Sequence, residues 1–282
     1  MAYQMIPYPS IPEDTRRAAT AMYGKSNINL RIGDHLNELL YELVPLEFDP
    51  GGMGLRSFEV FVQYNLLTIY QYSEELTNAQ ILDAVRNRVD LKYAMHLPLN
   101  IPRFDPQSLC EFRRHLFNDS ASAQIFLNLF DRLTIFGLLE PDEAQPVAAR
   151  QVLVKICTLH RFEEVVEAMY QALEALAVSE PEWLRGNMLP YWYDRYNRSA
   201  RLSPYRFSGQ GWNTRVLQIG SDIQYLLGKV DLADQPQLTN LKEIRNLHRI
   251  WEDQFVVYPN PTQAPDRIEW MLTRCASCSN AE

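Results

Sequence analysis

The sequence has little glycine and cysteine, no long apolar run and no excess of positive charge. Only 11 of its 282 residues are glycine, which favours helices over a glycine-rich β fold. Its 4 cysteines are too few for a disulfide framework, and the first ten residues do not resemble a secretory signal, so we expect reduced thiols in the cytoplasm. A membrane-spanning helix needs about 20 apolar residues, whereas the most apolar segment, 58–70, contains Glu59, Gln63 and Asn65. We therefore expect no membrane span.

The charge is acidic overall but unevenly distributed along the chain. A net charge of −8 disfavours nucleic-acid binding, because phosphate contacts need Lys and Arg. Residues 119–180 carry ten acidic and four basic side chains. In residues 185–215 the single acid is Asp194, and all the cations are arginines, which suit bidentate phosphate contacts. These arginines either contact DNA or pair with the acidic segment, and the candidates for DNA contact are Arg198, Arg201 and Arg206.

Apolar residues recur at helical spacing along most of the chain and predict a mostly all-α, multi-helix bundle. Thr77 and Gln80 have the spacing of a capping box at a helix start. A long helix is predicted from about 147 to 178, and Phe255 to Tyr258 is predicted as one short strand. The predicted segments are an extended N-terminal arm over 1–27, a helix-turn-helix-like domain over 28–120, a long-helix segment over 121–180, a helical lobe with an arginine and aromatic patch over 181–258, and a loose tail over 259–282.

One short helix has the pattern expected of a DNA-binding element. Asp105 and Pro106 form a strong helix start, with Asp as N-cap and Pro at the first helical position. Leu109, Phe112 and Leu116 are predicted to face inward, which leaves polar and basic residues outside. This pattern is compatible with a helix-turn-helix variant, and the alternative is an ordinary surface helix of a bundle. The candidate DNA contacts are Gln107, Ser108, Glu111, Arg113 and Arg114.

The local motifs of common enzyme classes are incomplete in this sequence. Gly24-Lys25-Ser26 matches only the end of a phosphate-binding loop, because Ala19 stands where the first glycine would be. Cys275 and Cys278 form a single pair, whereas a structural zinc site needs four ligands. The histidines show no metal-binding spacing. The sequence therefore predicts no catalytic residue, no metal site and no cofactor.

Several sequence blocks, taken together and in order, resemble a known family. They are IPEDT (11–15), GKSN (24–27), LTNAQILDAVRNRVDLKYAMHLPL (76–99), FDPQSLCEFRRHL (104–116), VLVKICTLHRFEEVVEAMYQALEALA (152–177), EPEWLRGNMLPYWYDRY (180–196) and LHRIWEDQF (247–255). This order resembles the N-terminal half of those bacterial insertion-sequence transposases of the DDE type that have an InsH-like N-terminal domain. The resemblance covers about residues 8–257.

The resemblance implies a helical domain that binds the inverted repeats at the ends of a mobile element. In the family, an RNase H-like domain follows and holds two metal ions with three carboxylates. The first carboxylate belongs to a Thr-Asp-Ser-Thr segment before the long helix, and the alignment places Ala148 at that Asp. Alanine has no side-chain oxygen with which to bind Mg²⁺. The other two carboxylates have no counterparts, so we expect the RNase H-like domain to be essentially absent.

The resemblance thus implies a transposase-derived, catalytically inactive protein that binds double-stranded DNA. It would act as a regulator or a targeting subunit. It would be located in the bacterial cytoplasm, associated with the nucleoid. It would form a homodimer or be part of a protein complex. Three alternatives remain open. One is a protein-interaction scaffold in a larger assembly that has lost DNA binding. Another is the N-terminal part of a split transposase, whose catalytic half a second reading frame supplies. The third is a decaying remnant of a transposase without a function.

Overall fold

The computed structural model describes residues 8–44, 48, 58–74, 76–100, 104–139, 149–197, 211–258 and 267–271. Within these ranges there are 13 helices and one two-stranded hairpin, and 76% of the described residues are helical. The prediction of a mostly all-α fold is therefore confirmed. The chain divides into two compact units, one up to Cys157 and the other from Thr158 to Arg274. The finer segment boundaries drawn from the sequence stay predictions.

The first unit contains seven helices and the beginning of an eighth among its described residues. Two local predictions are confirmed there, because Thr77 and Gln80 form a capping box and Asp105 caps a helix with Pro106 in its first turn. The predicted long helix is also confirmed, within the described part of its range. The helices are α1 (Glu13–Met22), α2 (Ile28–Leu40), α3 (Phe58–Ser73), α4 (Asn78–Asn87), α5 (Val89–Ala94), α6 (Pro106–Asn118), α7 (Ser120–Ile135) and α8 (Ala149–Ser179).

The prediction of an extended arm over 1–27 is wrong where α1 forms. This helix has Glu13 and Asp14 in its first turn, where acidic side chains favour the positive end of the helix dipole. Its buried residues are Thr15 and Ala19, and the Thr15 hydroxyl donates to the backbone oxygen of Leu97 at 2.8 Å. Because this inner face is small and partly polar, it lacks the apolar stripe by which the other helices were predicted.

The second unit contains the rest of α8, five further helices and the hairpin. Its core surrounds Trp192, which is almost completely buried, and takes apolar side chains from α8 and from the helices that follow. The elements are α9 (Pro181–Asn187), α10 (Trp192–Arg195), α11 (Gly211–Ala233), α12 (Pro236–Thr239), α13 (Lys242–Gln254), β1 (Phe255–Tyr258) and β2 (Arg267–Trp270).

The predicted strand at Phe255–Tyr258 is confirmed, but the prediction of a loose tail from 259 is wrong at β2. The two strands pair antiparallel, with Val256 opposite Glu269. The sequence of β2 alternates polar and apolar residues, and its apolar members Ile268 and Trp270 pack against the core of this unit. Four residues of alternation are too short a signal without knowledge of the partner strand.

Two glycines of α11 give a matched test of the packing between α11 and β1. An added methyl group at Gly220 would lie 2.6 Å from Cε1 of Phe255, whose ring stacks on Trp251, whereas at Gly228 it would meet nothing within 4 Å. Alanine favours a helix interior over glycine by about 0.5–1 kcal/mol. We therefore expect Gly228→Ala to stabilise this unit by that amount, and Gly220→Ala to destabilise it by about 1–3 kcal/mol through overpacking. Urea unfolding followed by tryptophan fluorescence measures both, and equal effects would contradict the packing described.

Candidate nucleic-acid interface

The helix α6 is fixed to the first unit by its apolar face and its N-terminal cap. Leu109, Phe112 and Leu116 are completely buried. The Asp105 carboxylate accepts from the backbone N–H of Ser108 at 2.8 Å and from its hydroxyl at 2.6 Å. These hydrogen bonds to the charged form lower the pKa of Asp105. The Asp105 cap therefore fixes where α6 starts, and the buried apolar residues fix which side of α6 faces the core.

The opposite side of α6 carries three exposed polar side chains at helical spacing. Gln107, Glu111 and Arg114 follow one another at intervals of four and three residues, so they lie on one face, which we call the outer face of α6. Nε2 of Gln107 donates to Oε1 of Glu111 at 2.8 Å. The structure thus brings together three of the five residues predicted on this helix, and their contact with DNA stays a prediction.

The other two residues predicted on α6 are placed differently. Ser108 is half-buried, and its hydroxyl is held by the Asp105 cap. Arg113 is 0% exposed, so its prediction as a DNA contact is wrong. Its guanidinium donates to side-chain oxygens of α3 and α4, namely Oε1 of Gln71, Oδ1 of Asn78 at 2.5 Å and Oγ1 of Thr68 at 3.5 Å.

The burial of Arg113 has a physical reason that the sequence signals only indirectly. Arg113 follows Phe112 and lies four residues after Leu109, at the inward edge of α6. Its long side chain reaches α3, where Thr68 and Gln71 are buried among apolar neighbours. Buried polar side chains need hydrogen-bond partners. Two polar residues in the apolar stripe of α3 were the signal that a polar partner would come from elsewhere in the chain.

A cation that sequence reasoning missed lies beside the start of α6. Arg86, an exposed residue near the end of α4, donates from Nη2 to the backbone oxygen of Phe104 at 3.1 Å. Phe104 directly precedes the N-cap Asp105. This places a guanidinium next to the start of α6, and only the fold brings Arg86 and Phe104 together across 18 positions of sequence.

The arginine-rich stretch is described only in part. Arg198, Arg201 and Arg206 lie outside the described residues, as does Ala148. Arg185 forms an exposed ion pair with Glu182 at 2.7 Å. Arg195 pairs with the buried Asp222, which also accepts from the Tyr196 hydroxyl at 2.7 Å. Burial is the largest single influence and lowers the pKa of Arg195, but the hydrogen bond and the charge of Asp222, together with Tyr196, raise the pKa overall.

These ion pairs bear on the alternative that the arginines pair within the protein. Two of the described arginines, Arg185 and Arg195, do pair with carboxylates. Their partners lie in the same unit at 182 and 222, and not in the acidic segment 119–180. The prediction that the arginines pair with the acidic segment 119–180 is therefore wrong for Arg185 and Arg195.

Two other kinds of feature are absent from the described residues. In the described ranges, no group of three or more His, Cys, Asp or Glu side chains is arranged to hold a metal ion. No helix in the same ranges combines the length and the apolar character needed to cross a membrane. Comparisons of the chain with protein-family models, with curated proteins and with solved structures found no match.

Proposed function

We propose that this protein binds specific sites in double-stranded DNA through the outer face of α6. The observation that carries the proposal is the two-sided character of this helix. One side is buried and fixed, and the other exposes Gln107, Glu111 and Arg114. The major groove of B-DNA is about 12 Å wide and admits an α-helix, where amide and guanidinium groups can bond to base edges. Arg86, beside the start of α6, is suited to a neighbouring phosphate.

The family resemblance supports a transposase-derived protein that has kept DNA recognition and lost strand transfer. The alignment that places Ala148 at the first metal-binding Asp supports the loss of catalysis. The protein would then act as a regulator, or as a subunit that targets another protein to DNA. The net charge of −8 disfavours strong attraction to arbitrary DNA, which agrees with recognition confined to one helix.

Binding of the purified protein to fragments of its host's genome, at two salt concentrations, tests the proposal. Retention of a few discrete fragments at about 200 mM salt is expected, because non-specific contacts weaken steeply in that range. Retention of every fragment at about 50 mM salt and of none at about 200 mM would show only non-specific attraction. Absence of retention at both concentrations would overturn the proposal.

Arg114→Ala tests the role of the outer face of α6 in this binding. Arg114 is exposed, so we expect the variant to fold normally. Loss of a base contact should weaken binding to a retained fragment by about 1–3 kcal/mol, as measured by fluorescence anisotropy. The matched control is Arg249→Ala, which removes an exposed arginine of the second unit outside the arginine-rich stretch 185–215. Equal affinities of the two variants would exclude Arg114 from the interface.

An exposed apolar patch in the first unit favours a second function, that of a protein-interaction scaffold. At the end of α7, Ile135 is 81% exposed and is followed by the exposed Phe136. Arg132 of the same helix donates to the backbone oxygens of Leu39 and Tyr41, which brings the exposed Tyr41 side chain to this region. Exposed apolar patches commonly mark interaction sites. Stable co-purification with a protein partner, together with no retention on DNA, would favour this function over the first.

A further inference from the structure

The pairing of Gln107 with Glu111 has a consequence for the base that α6 can read. A glutamine amide has two N–H donors and one oxygen acceptor, whereas an ionised carboxylate only accepts. Gln107 therefore has to turn its nitrogen toward Glu111, and it does so at 2.8 Å. This bond uses one N–H and leaves the second N–H and the amide oxygen for a ligand. The opposite amide orientation would bring two acceptor oxygens together, which is unfavourable.

A donor and an acceptor side by side match one base edge of the major groove. Adenine presents N7 as an acceptor and the N6 amino group as a donor, and glutamine binds this pair with two hydrogen bonds. Guanine presents two acceptors, N7 and O6, so the oxygen of the fixed amide would face O6. Resting on the proposed function, we infer that Gln107 selects an adenine in the DNA site and that Glu111 is its positioning residue.

The residues around this pair support Gln107 as the group that contacts the base and Glu111 as the group that positions it. Ser108 is held by the Asp105 cap, and Arg113 is buried, so neither competes for a base at this end of α6. The carboxylate of Glu111 would be repelled by DNA phosphates if it approached them alone. Held one turn behind Gln107 and bonded to its amide, it orients the reading group instead.

Selection from a random pool of DNA duplexes with the full-length protein tests the inference. The wild type should select a motif that contains one adenine position dependent on Gln107. In Gln107→Ala the preference at that position should disappear while the rest of the motif is kept. The matched control is Gln171→Ala, which breaks an exposed glutamine–glutamate pair on α8, where Gln171 Nε2 donates to Glu167 Oε1 at 3.1 Å. This control should select the same motif as the wild type.

Replacing the selected adenine by 7-deazaadenine tests the contact at the level of one atom. This base keeps the N6 amino group and lacks the N7 acceptor. We expect the affinity of the wild type to fall by about 2- to 10-fold, because one of the two hydrogen bonds is lost, while that of Gln107→Ala stays unchanged. An equal loss in both proteins would show that Gln107 does not contact N7.

Glu111→Gln tests the positioning role through specificity. The amide that this substitution introduces could accept or donate, so the amide of Gln107 would no longer be held in one orientation. The selected position should then broaden from adenine to adenine or guanine, with little change in the affinity for the adenine site. A residue that only stabilised the helix would lower affinity or stability and leave the preference at adenine.

The outcomes separate the inference from the proposed function. If the wild type selects no motif, the proposed function is overturned. If the wild type selects a motif that Gln107→Ala also selects in full, the proposed function stands and the inference about Gln107 is overturned. Thermal unfolding of each variant verifies that it is folded, which we expect because both side chains are exposed.

Discussion

Arg113→Ala should lower the free energy of unfolding of the first unit by about 3 kcal/mol or more. The substitution removes the guanidinium that donates to Oε1 of the buried Gln71, while Asn78 and Thr68 keep other hydrogen bonds, and it opens a cavity in a fully buried site. Each unsatisfied buried polar group costs about 1–3 kcal/mol, and the lost packing adds to this. Arg113→Lys keeps the charge but not the planar fork of donors, so we expect a smaller loss.

The distribution of tryptophan makes this loss measurable unit by unit. All 5 tryptophans lie at position 183 or beyond, so their fluorescence reports on the second unit. Hydrogen exchange of the amides of α3 and α6 reports on the first. Arg113→Ala should accelerate exchange in α3 and α6, whereas the exposed neighbour Arg114→Ala should change stability by no more than about 0.5 kcal/mol. Unaltered exchange in Arg113→Ala would contradict the buried network.

Arg113 also decides how the DNA-binding experiments have to be interpreted. Arg113 and Arg114 are adjacent in sequence, but one is buried in the core and the other is exposed on the outer face of α6. A variant that lacks both arginines would be less stable as well as lacking the exposed arginine, so weaker DNA binding by it would not report on recognition alone. Arg114→Ala by itself separates recognition from stability, and Arg113→Ala serves as the control for unfolding.

The features that were predictable from the sequence are those with local causes. The start of α6 follows from the Asp105 cap and Pro106, and its inner face follows from the spacing of its apolar residues. The start of α4 follows from the capping box of Thr77 and Gln80. These causes act within one or two turns of a helix, so a single sequence contains them completely.

The features that were missed depend on partners far along the chain. Arg113 contacts Gln71, 42 positions away, and β2 is stabilised by pairing with β1. Arg86 lies beside α6 only because α4 packs there. In the candidate interface, periodicity identified Gln107, Glu111 and Arg114, while the fold removed Arg113 from the set and added Arg86.

A second buried network, around Asp90 in α5, is expected to make the first unit sensitive to acid. Asp90 is 4% exposed and accepts from Asn29 Nδ2 at 2.6 Å and from Arg88 Nη2 at 2.8 Å. Arg88 also donates to Glu74 at 2.5 Å. Burial is the largest single influence and raises the pKa of Asp90, but the hydrogen bonds from Arg88, Asn29 and the backbone of Leu91, together with the charge of Arg88, lower the pKa overall. Asp90→Ala removes the acceptor of the buried Asn29 amide, but Arg88 is one-third exposed and keeps its ion pair with Glu74, so we expect a loss of about 1–3 kcal/mol.

The lowered pKa of Asp90 fixes the direction of the pH effect. A carboxyl whose pKa is lower in the folded state stabilises the fold above its unfolded pKa, about 3.9, and loses this contribution as pH falls through the folded value. The difference in unfolding free energy between wild type and Asp90→Asn should therefore shrink as the pH falls below about 4. Urea unfolding followed by far-ultraviolet circular dichroism, at neutral and acid pH, measures this difference.

Asp14→Asn is the matched control, because Asp14 pairs with Arg17 at 3.1 Å while both side chains are more than 70% exposed. Exposed ion pairs contribute about 0–1 kcal/mol, so this variant should resemble the wild type at every pH. If Asp90→Asn differed from the wild type by a constant amount from neutral to acid pH, the charge on Asp90 would not be the source of its stabilisation. Asp90 would then act through hydrogen bonding that a protonated carboxyl also provides. A difference that shrinks in acid, with an unchanged Asp14→Asn control, would assign the acid sensitivity of the first unit to the charged bond between Asp90 and Arg88.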